Sequence, residues 1–167
     1  MTIHLAIINP KSPENMGSIL RAAGCYQAQS IRYTGERYAR AKAFSTDTKN
    51  AHLNIPVTQT AAIIDPESDK HLTKVAVELV EGATPLPLFE HPEEALYIFG
   101  PEDGSIEQGV VDQCDHVVYI PTVGCMNLAA TVNVLLYDRL AKTADMPSDD
   151  QIILISRDTN NRTKVGN

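Results

Sequence analysis

The sequence lacks any long hydrophobic run. Hydrophobic residues make up 43% of its 167 residues, which suits a globular core. No stretch approaches the roughly 20 apolar residues that a membrane helix requires. The start of the chain has no basic segment followed by a long apolar run, so we expect no signal peptide. These absences predict a cytoplasmic protein with no membrane partner.

Cysteine and histidine are few and scattered. The three cysteines, Cys25, Cys114 and Cys125, include no Cys-x-x-Cys pair, which predicts reduced thiols rather than a disulfide framework. The five histidines lie at positions 4, 52, 71, 91 and 116, without the spacing typical of a metal site. We therefore expect no metal.

The charge is acidic overall but unevenly distributed. The net charge is −7, yet residues 1–50 hold seven Lys or Arg and only three acidic residues. That segment carries +4 and the remainder carries −11. A basic region on an acidic body can hold phosphates locally, although ordinary solvated surface charge gives the same composition.

Apolar strands alternate with helical patterns, which predicts an α/β fold with a parallel sheet and flanking helices. We expect one domain over 1–145 and a polar tail over 146–167, in which residues 152–155 add an edge strand or pack on a partner. The first helix is predicted to be capped near Glu14 or Asn15. The predicted strands are 3–8, 30–33, 55–58, 74–80, 95–99 and 116–120, and the predicted helices are 15–25, 36–44, 60–64, 106–114 and 126–142.

Three segments at strand ends combine residues suited to a binding site. In the first helix, Arg21 projects away from the apolar stripe. This position suits either a functional cation or an ordinary solvated surface charge. The loop 99–104, Phe-Gly-Pro-Glu-Asp-Gly, follows a buried strand at the edge where parallel sheets bind ligands. The same residue types also make ordinary tight turns. The third segment, 119–128, again joins a strand end to a helix.

The helix after the third segment is apolar around nearly its whole circumference. Such a helix is buried, either by its own chain or by another subunit, and we favour the dimer. A nucleotide-dependent oxidoreductase is excluded, because Asn-Pro-Lys-Ser-Pro at 9–13 stands where a Gly-x-Gly-x-x-Gly turn would follow the first strand.

Together the three segments resemble the SpoU branch of the SPOUT methyltransferases, over residues 3–142. The family's Asn-x-Gly-x-x-x-Arg signature matches residues 15–21, and its Phe-Gly-Pro-Glu signature with a nearby Gly matches 99–104. The family's Ile-Pro signature matches residues 120–121, and its Ser-Leu/Met-Asn-Leu/Val signature is similar to residues 125–128.

The resemblance implies a deep C-terminal trefoil knot and a homodimer formed through the knot region and the 126–142 helix. It also implies an S-adenosylmethionine-dependent RNA methyltransferase that modifies a ribose 2′-hydroxyl. A tRNA substrate is favoured, because the chain has no recognisable separate RNA-binding domain. The implied cofactor-binding residues are Glu78, Gly100, Ile120, Cys125 and Leu128.

The resemblance also implies that Asn15, Glu102 and Asn127 position the substrate and that Arg21 assists catalysis. Because arginine stays protonated, we expect Arg21 to stabilise the developing oxyanion rather than to act as a base. The basic residues that follow it are expected to bind RNA phosphates; they are Arg32, Arg37, Arg40 and Lys42.

One position departs from the family pattern. Cys125 stands where the family usually has Ser, and a thiol is a larger and weaker hydrogen-bond partner than a hydroxyl. This departure and the acidic net charge leave a non-catalytic RNA- or cofactor-binding relative as one alternative. An rRNA 2′-O-methyltransferase is another.

Overall fold

Short apolar segments form one parallel sheet in the computed structural model, which describes residues 2–43, 55–143, 150–157 and 159–166. The strands are β1 (Thr2–Ile7), β2 (Ser30–Tyr33), β3 (Val57–Gln59), β4 (Thr73–Val77), β5 (Thr84–Pro85), β6 (Glu94–Phe99) and β7 (His116–Tyr119). The helices are α1 (Pro13–Cys25), α2 (Arg37–Ala43), α3 (Gln108–Val111), α4 (Leu128–Thr143) and α5 (Gln151–Ser156), with a 3-10 turn at Leu86–Leu88.

The sheet order is β3-β2-β1-β6-β4-β7-β5, and every pairing is parallel. The central strands are covered on both faces, which is why β6 reads as a continuous apolar run, with Leu96, Tyr97 and Ile98 fully buried. Helices α1 and α4 pack on one face. Segment 63–72, Ile106 and α3 cover the other face. The predicted α/β class is confirmed.

Helix α1 begins two residues earlier than predicted. Ser12, rather than Glu14 or Asn15, is the N-cap residue, and its hydroxyl accepts a hydrogen bond from the Asn15 N–H at 3.1 Å. Pro13 occupies the first helical position. Proline is tolerated there because a backbone N–H at that position would have no partner within the helix. The predicted cap was therefore wrong, and Asn15 lies in the first turn of α1.

The described residues of the chain cover only one side of helix α4. Val132, Leu135 and Leu136 are buried against the core, as its apolar sequence predicts. Its other side exposes large apolar side chains to solvent; they are Val134, Tyr137 and Leu140. The all-round apolar pattern therefore leaves an apolar face uncovered by the described residues of the chain.

Three further predictions differ from the structure. The weak helix expected at 60–64 is absent. The turn that follows is stabilised by the Asp65 and Asp69 carboxylates, which accept hydrogen bonds from the N–H groups of Glu67 and Asp65. Strand β4 ends at Val77, so residues 78–80 form a loop. Residues 152–155 lie in the exposed helix α5 and not in an edge strand. The periodicity of a short apolar run does not distinguish a helix from a strand.

The trefoil knot that the family resemblance implies stays a prediction. Within the described ranges, no helix is both long enough and apolar enough to cross a membrane.

Candidate functional site

A cavity of about 280 Å³ lies at the carboxyl ends of the strands β4, β6 and β7. This is the edge at which parallel sheets bind ligands, and the volume is close to the lower end for small-molecule sites. Its walls combine apolar side chains with the backbone of three loops. The lining residues are Asn15, Val77, Glu78, Leu79, Phe99, Gly100, Pro101, Glu102, Gly104, Tyr119, Ile120, Thr122, Cys125, Met126, Asn127, Leu128 and Thr131.

The structure brings together nearly all the predicted catalytic and cofactor-binding residues. All of them except Arg21 line this one cavity, although they come from segments that lie far apart in sequence. Arg21 is exposed on α1, six residues beyond Asn15 and therefore about 9 Å further along the helix axis.

Three of the predicted residues form a continuous hydrogen-bonded contact, here called the polar bridge (Glu102, Asn15 and Asn127). The Asn15 amide donates to Glu102 Oε1 at 3.3 Å, and the Asn127 amide donates to Asn15 Oδ1 at 3.0 Å. Asn127 Oδ1 in turn accepts from two backbone N–H groups in the first turn of α4, at 2.9 and 3.2 Å. The polar bridge therefore joins the loop after β6 to the first turns of α1 and α4.

The Glu102 carboxylate also binds the start of α1 directly. Oε2 accepts from the Lys11 N–H at 2.8 Å and Oε1 accepts from the Ser12 N–H at 3.0 Å. Burial opposes the charge, but these donors and the Asn15 amide outweigh it and hold the pKa of Glu102 below its usual range. Glu102 is thus an anion that fixes two segments of the cavity wall to each other.

Glu78 connects two other loops of the cavity. Oε1 accepts from the Leu79 N–H and Oε2 accepts from the Ile106 N–H, both at 2.9 Å. A Cβ added at Gly100 would lie only 3.2 Å from Glu78 Oε2 and 3.3 Å from Ile106 Cγ1. The carboxylate and the absence of a side chain at position 100 therefore set the spacing of these loops.

The loop after β7 supplies the remaining wall. Gly124 adopts a φ of +94°, a conformation that L side chains rarely adopt, and the Thr122 hydroxyl donates to the Gly124 carbonyl at 2.9 Å. This turn leads into Cys125, whose side chain is exposed and lines the cavity. The thiol at the position of the family's serine is accessible to whatever binds there.

Arg37 has contacts that sequence analysis did not anticipate. Nε and Nη2 donate to the Asn9 carbonyl at 3.2 and 2.6 Å, and Nη1 donates to both oxygens of Asp103 at 2.9 and 2.8 Å. Asp103 directly follows Glu102, so this contact lies beside the polar bridge. The guanidinium joins the turn after β1 to the loop after β6.

The other basic residues predicted to bind RNA lie in different surroundings. Arg32 forms a bidentate ion pair with Asp69 at 2.8 and 2.6 Å, away from the cavity, and Asp69 is buried. That carboxylate occupies the Arg32 guanidinium, and the RNA-binding role of Arg32 stays a prediction. Arg40 is exposed on α2. Lys42 belongs to the same helix, but its side chain lies outside the described part of the structure.

Among the described residues, no group of three or more His, Cys, Asp or Glu side chains is arranged to hold a metal ion.

Comparison with known proteins gives a consistent set of matches. The model of the SpoU rRNA methylase family matches residues 2–137. The tRNA (cytidine-2′-O-)-methyltransferase TrmJ of Methanocaldococcus jannaschii is 27% identical over an alignment of 161 residues. The match covers 84% of this chain and 68% of that protein.

The solved structures that share the fold include the following two. An AdoMet-bound rRNA methyltransferase from Sinorhizobium meliloti has a TM-score of 0.65 and 18% identity, covering 86% of this chain. This chain spans only 57% of that protein's length. A structure that concerns 2-OH methylation of C/U34 on tRNA has a TM-score of 0.67 and 18% identity, covering 84% of this chain and 90% of its own.

Proposed function

We propose that this chain, which belongs to the SpoU rRNA methylase family, transfers a methyl group from S-adenosylmethionine to a ribose 2′-hydroxyl in tRNA. The similarity to an archaeal tRNA 2′-O-methyltransferase supports both the reaction and the substrate class. A tRNA substrate is consistent with action in the cytoplasm.

The cavity suits S-adenosylmethionine by size and chemistry. Val77, Phe99 and Leu128 offer apolar walls for a planar adenine, and the loops that contain Gly100 and Ile120 offer backbone groups for its ring edge. When bound, the cofactor supplies an electrophilic methyl group on a sulfonium centre. Residues from the loops after β4, β6 and β7 would hold it, through Glu78, Gly100 and Ile120.

The protein residues must then align the ribose oxygen and favour its deprotonation. The polar bridge fixes the cavity wall, so we assign Asn15, Glu102 and Asn127 to positioning. Arg21 is exposed and permanently charged, so it is available to an RNA that extends from the cavity along α1. There it would stabilise the developing oxyanion.

The polar bridge is the observation that carries the proposal. Three segments that are separate in sequence, and that match the family signatures, meet through direct hydrogen bonds at one cavity. The test compares 2′-O-methyl sites across total RNA from cells with and without this protein. Loss of one tRNA site is expected. Loss of an rRNA site would reassign the substrate, and no lost site would favour a non-catalytic relative.

Cys125→Ser tests the departure from the family pattern. Cys125 lines the cavity, and Ser restores the residue that the family usually has at this position, so turnover in the variant should stay close to the wild-type value. Initial rates of methyl transfer at saturating S-adenosylmethionine measure the effect. A tenfold or larger drop would mean that the thiol has a role of its own.

We also propose that RNA phosphates contact α2 through Arg40 and Lys42. Because each phosphate contact releases counterions, replacing both residues with Glu should weaken tRNA binding. The slope of log affinity against log salt concentration should fall by about 1.5. Fluorescence anisotropy with bulk tRNA at several salt concentrations gives this slope. An unchanged slope would remove α2 from the RNA path.

We further propose a homodimer in which a second copy covers the exposed face of α4. Three large apolar side chains on that face, Val134, Tyr137 and Leu140, favour this interface.

A charge placed on the exposed face of α4 would be buried without a partner in this dimer, so Tyr137→Glu should convert the dimer to a monomer. Light scattering coupled to size exclusion measures the mass. Gln113→Glu, near α3 on the opposite side of the sheet, is the control and should stay dimeric. A monomeric wild type, or a dimeric Tyr137→Glu variant, would contradict this interface.

A further inference from the structure

Arg37 occupies an unusual place for a residue at the start of a helix. It begins α2, on the far side of β1 from most of the cavity, yet its guanidinium contacts the turn after β1 and the loop after β6 at once. Its side chain is 32% exposed, whereas an RNA-binding arginine would present its donors to solvent. Its donors are instead directed at two protein acceptors.

The turn that Arg37 holds is itself conformationally restricted. Asn9 has a φ of +44°, in the left-handed region, and its N–H donates to the Thr34 hydroxyl at 3.2 Å. Gly35, with a φ of +76°, packs against the Asn9 side chain so closely that any Cβ there would collide with it. The turns after β1 and β2 are therefore fixed together, and Arg37 bonds to this fixed unit through the Asn9 carbonyl.

On its other side, Arg37 neutralises a loop that carries two adjacent carboxylates. Nη1 binds both oxygens of Asp103, and Nη2 lies 4.0 Å from Glu102 Oε2. The hydrogen bonds and charge of Arg37 hold the pKa of Asp103 below its usual range. Without Arg37, the neighbouring cation would be Lys11, whose Nζ is 4.0 Å from Asp103 and mostly exposed.

We propose that Arg37 is a positioning residue for the methyltransferase cavity rather than an RNA ligand, an inference that rests on the function proposed above. By holding the loop after β6 against the turn after β1, Arg37 keeps Glu102 in register with the Lys11 and Ser12 N–H groups. It thereby fixes Gly100 and Gly104, which line the cavity. The residue thus acts on cofactor binding without touching the cofactor.

The geometry requires arginine in particular. The planar guanidinium donates in two directions at once, to a carbonyl and to a carboxylate. A lysine ammonium restores the charge, but as a single point it cannot reproduce the fork. Arg37→Lys should therefore recover only part of the function that Arg37→Ala loses, and the difference between the two variants separates geometry from charge.

The experiment measures the S-adenosylmethionine dissociation constant by calorimetry on the full chain, at a temperature well below the melting point of every variant. Arg37→Ala should weaken binding about 10- to 100-fold, the size expected when a hydrogen bond to a charged group is lost, and Arg37→Lys should be intermediate. Asp103→Ala should weaken binding too. The double variant Arg37→Ala/Asp103→Ala should be no worse than Arg37→Ala alone, because both remove the same contact. Arg162→Ala, an exposed arginine in the tail, is the matched control.

A second readout separates positioning from RNA binding. The salt dependence of bulk tRNA binding should be the same for Arg37→Ala and the wild type. An unchanged S-adenosylmethionine affinity in Arg37→Ala, or a reduced salt slope, would overturn the inference. If Arg37→Ala does not fold, Arg37→Lys decides, since wild-type affinity in that variant would also overturn it. A wild-type protein that does not bind S-adenosylmethionine would reject the proposed function itself.

Discussion

Replacing Glu102 with Gln should lower the rate of methyl transfer by about 100-fold or more. The Glu102 carboxylate accepts hydrogen bonds from the Lys11 and Ser12 N–H groups and from the Asn15 amide. A hydrogen bond to a charged group contributes about 1.5–3 kcal/mol, and a loss near 2.7 kcal/mol corresponds to roughly a hundredfold in rate. Gln keeps the shape but turns one acceptor into a donor that faces these N–H groups. Single-turnover kinetics would measure the loss.

The same variant gives a pH-dependent signature in stability. Because the pKa of Glu102 is lowered in the folded state, its contribution is fully present above the unfolded-state value, about 4.3. The contribution is lost as the pH falls through the lower folded value. Urea unfolding should therefore show the wild type more stable than Glu102→Gln at pH 7. The difference should shrink as the pH falls below about 4.3 and should be gone below the lowered folded-state pKa of Glu102. Equal stability of the two proteins at pH 7 would contradict the assigned role of the carboxylate.

Replacing Arg21 with Ala should have the other large effect, on catalysis alone. Arg21 is exposed and does not line the cavity, so the affinity for S-adenosylmethionine should stay within about twofold of wild type. Loss of one donor to a developing oxyanion lowers kcat by about 100- to 1000-fold, and this is the expected fall. Calorimetry and single-turnover rates on one preparation measure both quantities.

Arg21→Lys is the informative companion variant. It retains the charge but loses the planar fork, so its rate should lie between those of the wild type and Arg21→Ala. An Arg21→Ala enzyme that transfers methyl groups at the wild-type rate would exclude Arg21 from catalysis. The positioning roles of the polar bridge would then stand without it.

Much of the fold followed from local pattern. The strands β1, β2, β6 and β7 were predicted to within a residue or two, because buried parallel strands are short, apolar runs between turn residues. The ends that were missed depend on single polar contacts. Helix α1 starts at Pro13 because the Ser12 hydroxyl caps it. Strand β4 ends at Val77, and the carboxylate of the next residue, Glu78, accepts hydrogen bonds from two backbone N–H groups.

The cavity was more predictable than its electrostatics. Each signature follows a strand, and parallel strands end at one edge, so the convergence of Asn15, Glu102 and Asn127 followed from topology. The contacts of Arg32 and Arg37 did not, because the partner of a basic residue can be distant in sequence. Their partners, Asp69 and Asp103, lie 37 and 66 residues away.

The most direct test of the central claim is to identify the atom that receives the methyl group. Purified protein, S-adenosylmethionine labelled in its methyl group, and bulk tRNA are incubated together. The RNA is then hydrolysed with alkali and separately digested to nucleosides for mass spectrometry. We expect label in a 2′-O-methylated nucleoside and in an alkali-resistant dinucleotide. The dinucleotide resists alkali because a methylated 2′-oxygen cannot attack the adjacent phosphate. Label on a base, or no transfer by protein that binds S-adenosylmethionine, would contradict the central claim.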